Sequence, residues 1–184
     1  MRVITGSARG TRLLSPNGQD IRPTTEKVKE AIFSSIQFEL ENSRVLDLFA
    51  GSGQMGIEAL SRGALSAVFC DNSKDAFEII NKNLENAKLK DKAQVFKTDF
   101  STILGINGEK FDICFLDPPY HNGYYEEVLN ALPRIMKPYG KVMCEHPKDI
   151  KLSDNYGSLK KIKEYRFSNI IVSKYSVEED DDEN

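Results

Sequence analysis

The sequence lacks any apolar run long enough to cross a bilayer, which excludes a helical membrane span. Its first residues, "MRVITGSARG", lack the apolar stretch of a secretory signal, so export is not expected. Only three cysteines occur, Cys70, Cys114 and Cys144, each inside an apolar run and none at metal-ligand spacing. They fit small buried hydrophobes on neighbouring strands rather than a zinc site or disulfides, and imply a reducing, cytoplasmic setting without a metal. Histidine is as scarce. His121 and His146 are the two, and each reads first as a surface or hydrogen-bonded residue rather than a catalytic one. No internal repeat or linker interrupts the 184 residues, enough for one domain with a sizeable core.

Positive charge is in short supply only over the whole chain. Six of the 28 acids (Glu178, Glu179, Asp180, Asp181, Asp182 and Glu183) crowd the last stretch, and without them the net −3 becomes +3. At the other end Arg2, Arg9, Arg12 and Arg22 face one acid, Asp20. Residues 1–43 therefore read as a basic hairpin-and-helix extension suited to an anionic partner, and residues 178–184 as a solvated, disordered tail. Between them, residues 44–177 form the core.

The extension has two short β-prone runs around Gly-Ser-Ala-Arg-Gly, a "NGQD" turn, and then "RPTTEKVKEAIFSSIQFEL". Pro23, a cap at Thr24 or Thr25, and Val28, Ile32, Ile36 and Leu40 every fourth residue predict a helix there. From Arg44 the rhythm changes to apolar strand, loop, helix, repeated through "RVLDLFA", "AVFCD", "AQVFKTD", "FDICFLD" and "GKVMCEH". Such strands alternating with helices predict an α/β fold with a mostly parallel sheet covered on both faces. Two β-rich stretches in "LKKIKEYRFSNIIVSKYSV" are expected to close it with an antiparallel pair.

Aspartates mark four strand ends: Asp47 within the first, then Asp71, Asp99 and Asp117. Ligands of open α/β sheets bind outside the carboxyl ends of the strands, so the four face one site. Gly51, Gly53 and Gly56 match G-x-G-x-x-G, which alone is compatible with a dinucleotide. Asp47 opposes that reading, because a carboxylate beside the loop would repel a pyrophosphate. It suits a cation instead. S-adenosylmethionine carries an ammonium and a sulfonium; Asp71 would hold its ribose hydroxyls and Asp99 its adenine amine. The candidate cofactor set is Asp47, Phe49, Gly51, Gly53, Asp71, Asn72, Asp99 and Phe100.

In "DPPY", Asp117 and the Pro118 carbonyl can accept both N–H bonds of a planar amine and aim its lone pair at a methyl donor. Pro118 and Pro119 fix the loop without competing N–H groups, and Tyr120 can stack on an extruded base. Asp117, Pro118, Pro119 and Tyr120 are the candidate catalytic residues. Asn122 and Tyr124 could shape a lid, and Glu145 could support the site or merely cap its strand. Arg2, Arg9, Arg12, Arg22, Lys27 and Lys29 are the candidate phosphate contacts. Phosphate contacts position a nucleic acid without specifying its sequence.

"DLFAGSGQMGIEAL", Asp71, "TDF" and "DPPY" in this order resemble a class I S-adenosylmethionine-dependent methyltransferase of the amino-methylating branch. "MRVITGSARGTRLLSP", "IRPTTEKVKEAIFSSI" and "DPPYHNGYYEEVLNAL" further resemble the RsmD family, bacterial 16S rRNA guanine-N2 methyltransferases assigned to nucleotide 966. The likeness covers most of residues 1–147 and fades beyond. It implies a Rossmann-like seven-stranded sheet with a reversed last strand, S-adenosylhomocysteine as by-product, and small-subunit rRNA as partner, which makes the six basic residues candidate RNA contacts. A monomer is the simplest expectation. Adenine-N6 methylation of DNA or RNA is the nearest alternative, since the same four residues serve any planar amine. A protein glutamine methyltransferase and a non-catalytic RNA-binding module stand further off.

Overall fold

The computed structural model describes residues 1–16, 25–119 and 123–179. The "NGQD" turn, Arg22, Pro23, Thr24, Tyr120, His121, Asn122 and residues 180–184 lie outside the described residues. Among those described, no helix is long and apolar enough to cross a membrane.

Continuous apolar runs form strands buried on both faces. β1 (Arg44–Leu48) is the clearest: Val45 packs into one apolar cluster while Leu46 and Leu48 pack into the other. Parallel neighbours follow in β2 (Ser66–Asp71), β3 (Ala93–Lys97), β4 (Phe111–Leu116) and β5 (Met136–Pro147). Helices α2 (Gln54–Ser61) and α3 (Lys74–Asn86) share the first cluster, with α1 (Glu26–Ser35) and the N-terminal arm. Helices α4 (Phe100–Leu104) and α5 (Tyr124–Ala131) share the second. All three cysteines are free and buried.

Sheet order is β3-β2-β1-β4-β5-β8-β7-β6, with β6 (Asn155–Tyr156), β7 (Leu159–Arg166) and β8 (Ile170–Val177) running in antiparallel pairings. The chain steps outward from β1 through β2 to β3, then returns to β4 on the other side of β1. The reversal opens a crevice between β1 and β4, where such sheets bind ligands. The described residues form eight strands rather than the seven expected. Gly157, at φ 58°, lets the chain reverse within two residues, so Asn155 and Tyr156 pair back onto β7 as a short edge strand.

Thr25 caps α1, its hydroxyl accepting from the Val28 N–H at 3.3 Å. The helix ends at Ser35 rather than running to Leu40. Ile36 and Leu40 still bury, but through a turn that leaves Phe38 exposed. The expected N-terminal hairpin is a minimal one, an antiparallel bridge between Arg2 and Arg12 flanked by Val3–Thr11 and Leu13–Met1 hydrogen bonds.

Buried polar groups of α2 and α3 fix that arm. The Glu58 carboxylate accepts from the Ile4 and Thr5 N–H groups at 2.9 and 3.0 Å. It also pairs with Lys29 at 3.0 Å and Arg62 at 2.9 Å. Ser61 Oγ accepts from the Ala8 N–H and donates to the Thr5 carbonyl. Asn83 accepts from the Leu14 N–H at 2.7 Å and donates to the Leu14 and Ser52 carbonyls at 3.0 and 2.9 Å. One carboxamide thus ties the arm to the glycine loop.

Candidate active site

The end of β1 sets the site. Phe49 adopts φ 62°, a left-handed backbone that a bulky side chain rarely takes, and turns the chain into the glycine loop. Gly51 and Gly53 follow at φ 58° and 78°. Gly56 has a different reason: a Cβ there would lie 2.4 Å from the Phe69 ring, so α2 can approach β2 only without a side chain.

These turns open one cavity of about 480 Å³ at the β1/β4 crevice. Asp47, Phe49, Gly51, Asp71, Asn72, Asp99, Phe100, Asp117, Pro118 and Pro119 all line it. Gly53 stands just behind, as the N-cap of α2. Tyr120 lies outside the described residues. Among the described lining residues there is no lysine or arginine. A pyrophosphate would therefore meet carboxylates without a cationic side chain, whereas a sulfonium and an ammonium would meet complementary charge. The residues present fit S-adenosylmethionine and disfavour a dinucleotide.

Each acid is held differently. Asp47 is buried and accepts the Gly56 N–H at 2.9 Å. Burial pushes its carboxyl up to about 7; the Gly56 hydrogen bond opposes that rise and the Asp71 charge adds to it. Asp71 accepts from the Gly51 and Ser73 N–H groups at 3.0 and 2.9 Å, which joins the ends of β1 and β2. Asp99 caps α4, accepting from the Ser101 hydroxyl at 2.5 Å and its N–H at 2.9 Å, and both bonds lower its pKa. Asp117 is partly open to the cavity and otherwise enclosed by protein. Burial, then the charges of Glu145 and Asp47, raise its pKa well above the usual carboxylate range.

Three rings form a wall that the sequence motifs only partly announce. Phe49 stacks on Tyr124 with centroids 5.7 Å apart, and Phe100 lies 5.2 Å from Phe49 and 4.9 Å from Tyr124. Tyr124 opens α5 behind Gly123, and only its place just beyond "DPPY" hints at a role. Met1, Ser15 and Pro16 also reach the cavity, carried there by the docked arm. No sequence signal connects them with residues 30 or more positions away; Asn83 does so in space.

Of the candidate RNA contacts, Arg2, Arg9, Arg12 and Lys27 are exposed. Arg22 lies outside the described residues. Lys29 is corrected: only 1% exposed, its ammonium is bound to Glu58 and donates to the Arg2 carbonyl at 3.1 Å. Burial lowers its pKa, and the ion pair partly opposes that. It anchors the arm instead of meeting phosphate. His146 is buried, with Nε2 2.8 Å from Ser173 Oγ and Nδ1 3.1 Å from the Pro147 carbonyl, a structural role that fixes the end of β5.

A family model described as "Conserved hypothetical protein 95" matches residues 1–176. YlbH of Bacillus subtilis is 39% identical over 168 residues, covering 86% of this chain and 89% of that protein. The Haemophilus influenzae ribosomal RNA small subunit methyltransferase D is 35% identical over 154 residues, covering 81% and 80%. The solved structure of yhhF from Escherichia coli superposes with a TM-score of 0.84 at 28% identity, covering 97% and 98%.

Proposed function

Because this chain belongs to the family described as Conserved hypothetical protein 95, the RsmD family, we propose that it methylates the exocyclic N2 amine of a guanine in 16S rRNA, by resemblance nucleotide 966. It works as a cytoplasmic monomer in rRNA processing, on the small ribosomal subunit or an assembly intermediate. The observation that carries the reading is the single cavity that joins Asp47, Asp71 and Asp99 to Asp117 and Pro118.

S-adenosylmethionine supplies a methyl group activated by its sulfonium. Asp47 and the glycine loop would hold the methionyl portion, Asp71 the ribose and Asp99 the adenine. Asp117 and the Pro118 carbonyl hold the two N–H bonds of the guanine amine, whose lone pair is otherwise delocalised into the ring. The nitrogen lone pair would form the new N–C bond, with the electrons of the broken S–C bond staying on sulfur. The nitrogen then carries positive charge and sheds a proton readily, so Asp117 need not be a strong base. Most of the acceleration is positional.

Labelled methyl donor incubated with unmodified small subunits, naked 16S rRNA and DNA tests the function. Label at guanine N2 is expected; label at adenine N6 would install the rival reading. Reversing Arg9 and Arg12 to Glu should abolish RNA methylation and leave cofactor affinity intact, since neither arginine lines the cavity. Undiminished RNA activity in that variant would remove the arm from substrate binding.

Asp47 gives a pH dependence with a definite sign. Its carboxyl is raised to about 7 in the free protein, and a bound cation favours the ionised form. Below pH 7, cofactor binding must therefore expel a proton. Affinity should weaken by up to tenfold for each pH unit below about 7 and level off above it. Calorimetry from pH 5.5 to 8 reads the slope, which Asp47→Asn should erase. A flat wild-type profile would mean that Asp47 keeps one protonation state throughout.

A further inference from the structure

Part of the cavity wall comes from outside the methyltransferase core. Met1, Ser15 and Pro16 line it, and all three belong to the N-terminal arm. Two ties hold them beside the glycine loop. Ser52 Oγ donates to Met1 Sδ at 3.4 Å. The second tie is Asn83, a fully buried residue of α3. Its Oδ1 accepts the Leu14 N–H at 2.7 Å, and its Nδ2 donates to the Leu14 and Ser52 carbonyls. A carboxamide suits this place because it offers an acceptor and two donors without charge. An acid would lack the donors, and an apolar side chain would satisfy none of the three backbone groups. Ser52 and Ser15, the residue after Leu14, both line the cavity. The same arm carries Arg2, Arg9 and Arg12, which are exposed and do not line it. One segment thus presents one part to the cofactor and another to phosphate.

A wall made from a separate segment exists only while that segment is docked. We propose that Asn83 is a positioning residue that holds the arm as a wall of the cofactor site, so that cofactor and RNA bind one shared element. The inference rests on the RNA role proposed for the arm and goes beyond it, since it makes the arm part of the methyl-donor site. In the wild-type protein Asn83 keeps the arm docked in advance, and neither ligand has to dock it. With that clasp broken, each ligand must select the docked fraction, and its apparent affinity falls in proportion. The first ligand to bind then rebuilds the site for the second. Glu58 holds the Ile4 and Thr5 end of the arm, which leaves Asn83 as the clasp at the cavity end.

Two variants break the clasp from opposite sides. Asn83→Ala removes it from α3, and Leu14→Pro deletes the N–H that Asn83 accepts. Leu14 is 48% exposed, so the proline spares the core and carries the test where Asn83→Ala does not fold. The probe is S-adenosylhomocysteine, which cannot turn over, measured with and without saturating unmodified small subunits. Each variant alone should bind it at least about fivefold more weakly than wild type, and the subunits should restore most of that loss. Reciprocally, S-adenosylhomocysteine should tighten subunit binding to the variant by the same factor. Unchanged affinity in either folded variant overturns the arm as a wall of the cofactor site. A loss that subunits leave in place marks a distorted glycine loop. Beside a wild type that methylates guanine in those subunits, it overturns the shared element alone. A wild type that neither binds nor methylates them overturns the RNA reading and this inference with it.

Discussion

An Asp117→Ala enzyme is expected to bind S-adenosylmethionine with unaltered affinity and to transfer methyl about a hundred- to a thousandfold more slowly. The two halves of that result come from one geometry. Asp117 stands at the β4 edge of the cavity, across the crevice from the glycine loop, and its partner in the reaction is the incoming amine. Removing a preorganised hydrogen-bonding group from a transition state typically costs about 10²–10³ in kcat. The Pro118 carbonyl would still hold one N–H, which keeps the loss from being larger. Asp117→Asn separates charge from geometry: its carboxamide retains one acceptor but turns two donors towards an amine that offers only N–H, so an intermediate loss is expected. Single-turnover transfer with saturating cofactor, beside calorimetric cofactor binding, reads both numbers. An alanine variant that keeps a tenth of the wild-type rate would exclude Asp117 from the transfer step.

The strands and their acids were legible because each is local. β1 reads as an apolar run whether or not its neighbours are known, and a strand end marked by Asp71 or Asp117 needs no partner to be noticed. Three features escaped because they are pairings. β8 inserts between β5 and β7, yet "NIIVSKYSV" says only that a strand forms, not where it docks. Lys29 sits in a run of charged helix residues and reads as a solvated base; the carboxylate that buries it comes from Glu58, 29 positions on. Tyr124 belongs to the aromatic wall because Phe49 takes a left-handed turn, a backbone state that its residue type disfavours. Glu58 itself left a faint trace, as a lone acid inside the apolar helix "GIEALS".

That acid carries a large stability effect. Its side chain is fully buried, and four donors converge on it: the Ile4 and Thr5 N–H groups, Lys29 and Arg62. Glu58→Ala would strand the Lys29 ammonium, itself 2% exposed in its side chain, and two backbone N–H groups in an apolar cluster. Breaking a buried pair from one side costs about 3–5 kcal/mol, a large share of a stability that is typically about 5–15 kcal/mol. Arg62 would suffer less, since it is nearer the surface and its guanidinium also rests on the Phe33 ring at 4.7 Å. Chemical denaturation at pH 7 measures the loss, and a change under about 1 kcal/mol would contradict the burial argument. Glu58→Leu combined with Lys29→Met should recover part of it, because the fully buried ammonium is removed together with its carboxylate and only the more exposed Arg62 loses an ion partner. The remainder belongs to Ile4 and Thr5, whose N–H groups still lack an acceptor, and hydrogen exchange at those two amides should quicken in both variants. Since the same segment carries Arg2, Arg9 and Arg12, the double variant should lose RNA methylation more steeply than cofactor affinity. Equal losses of the two would mean that the arm serves the cofactor cavity, through Ser15 and Pro16, as much as it serves the RNA.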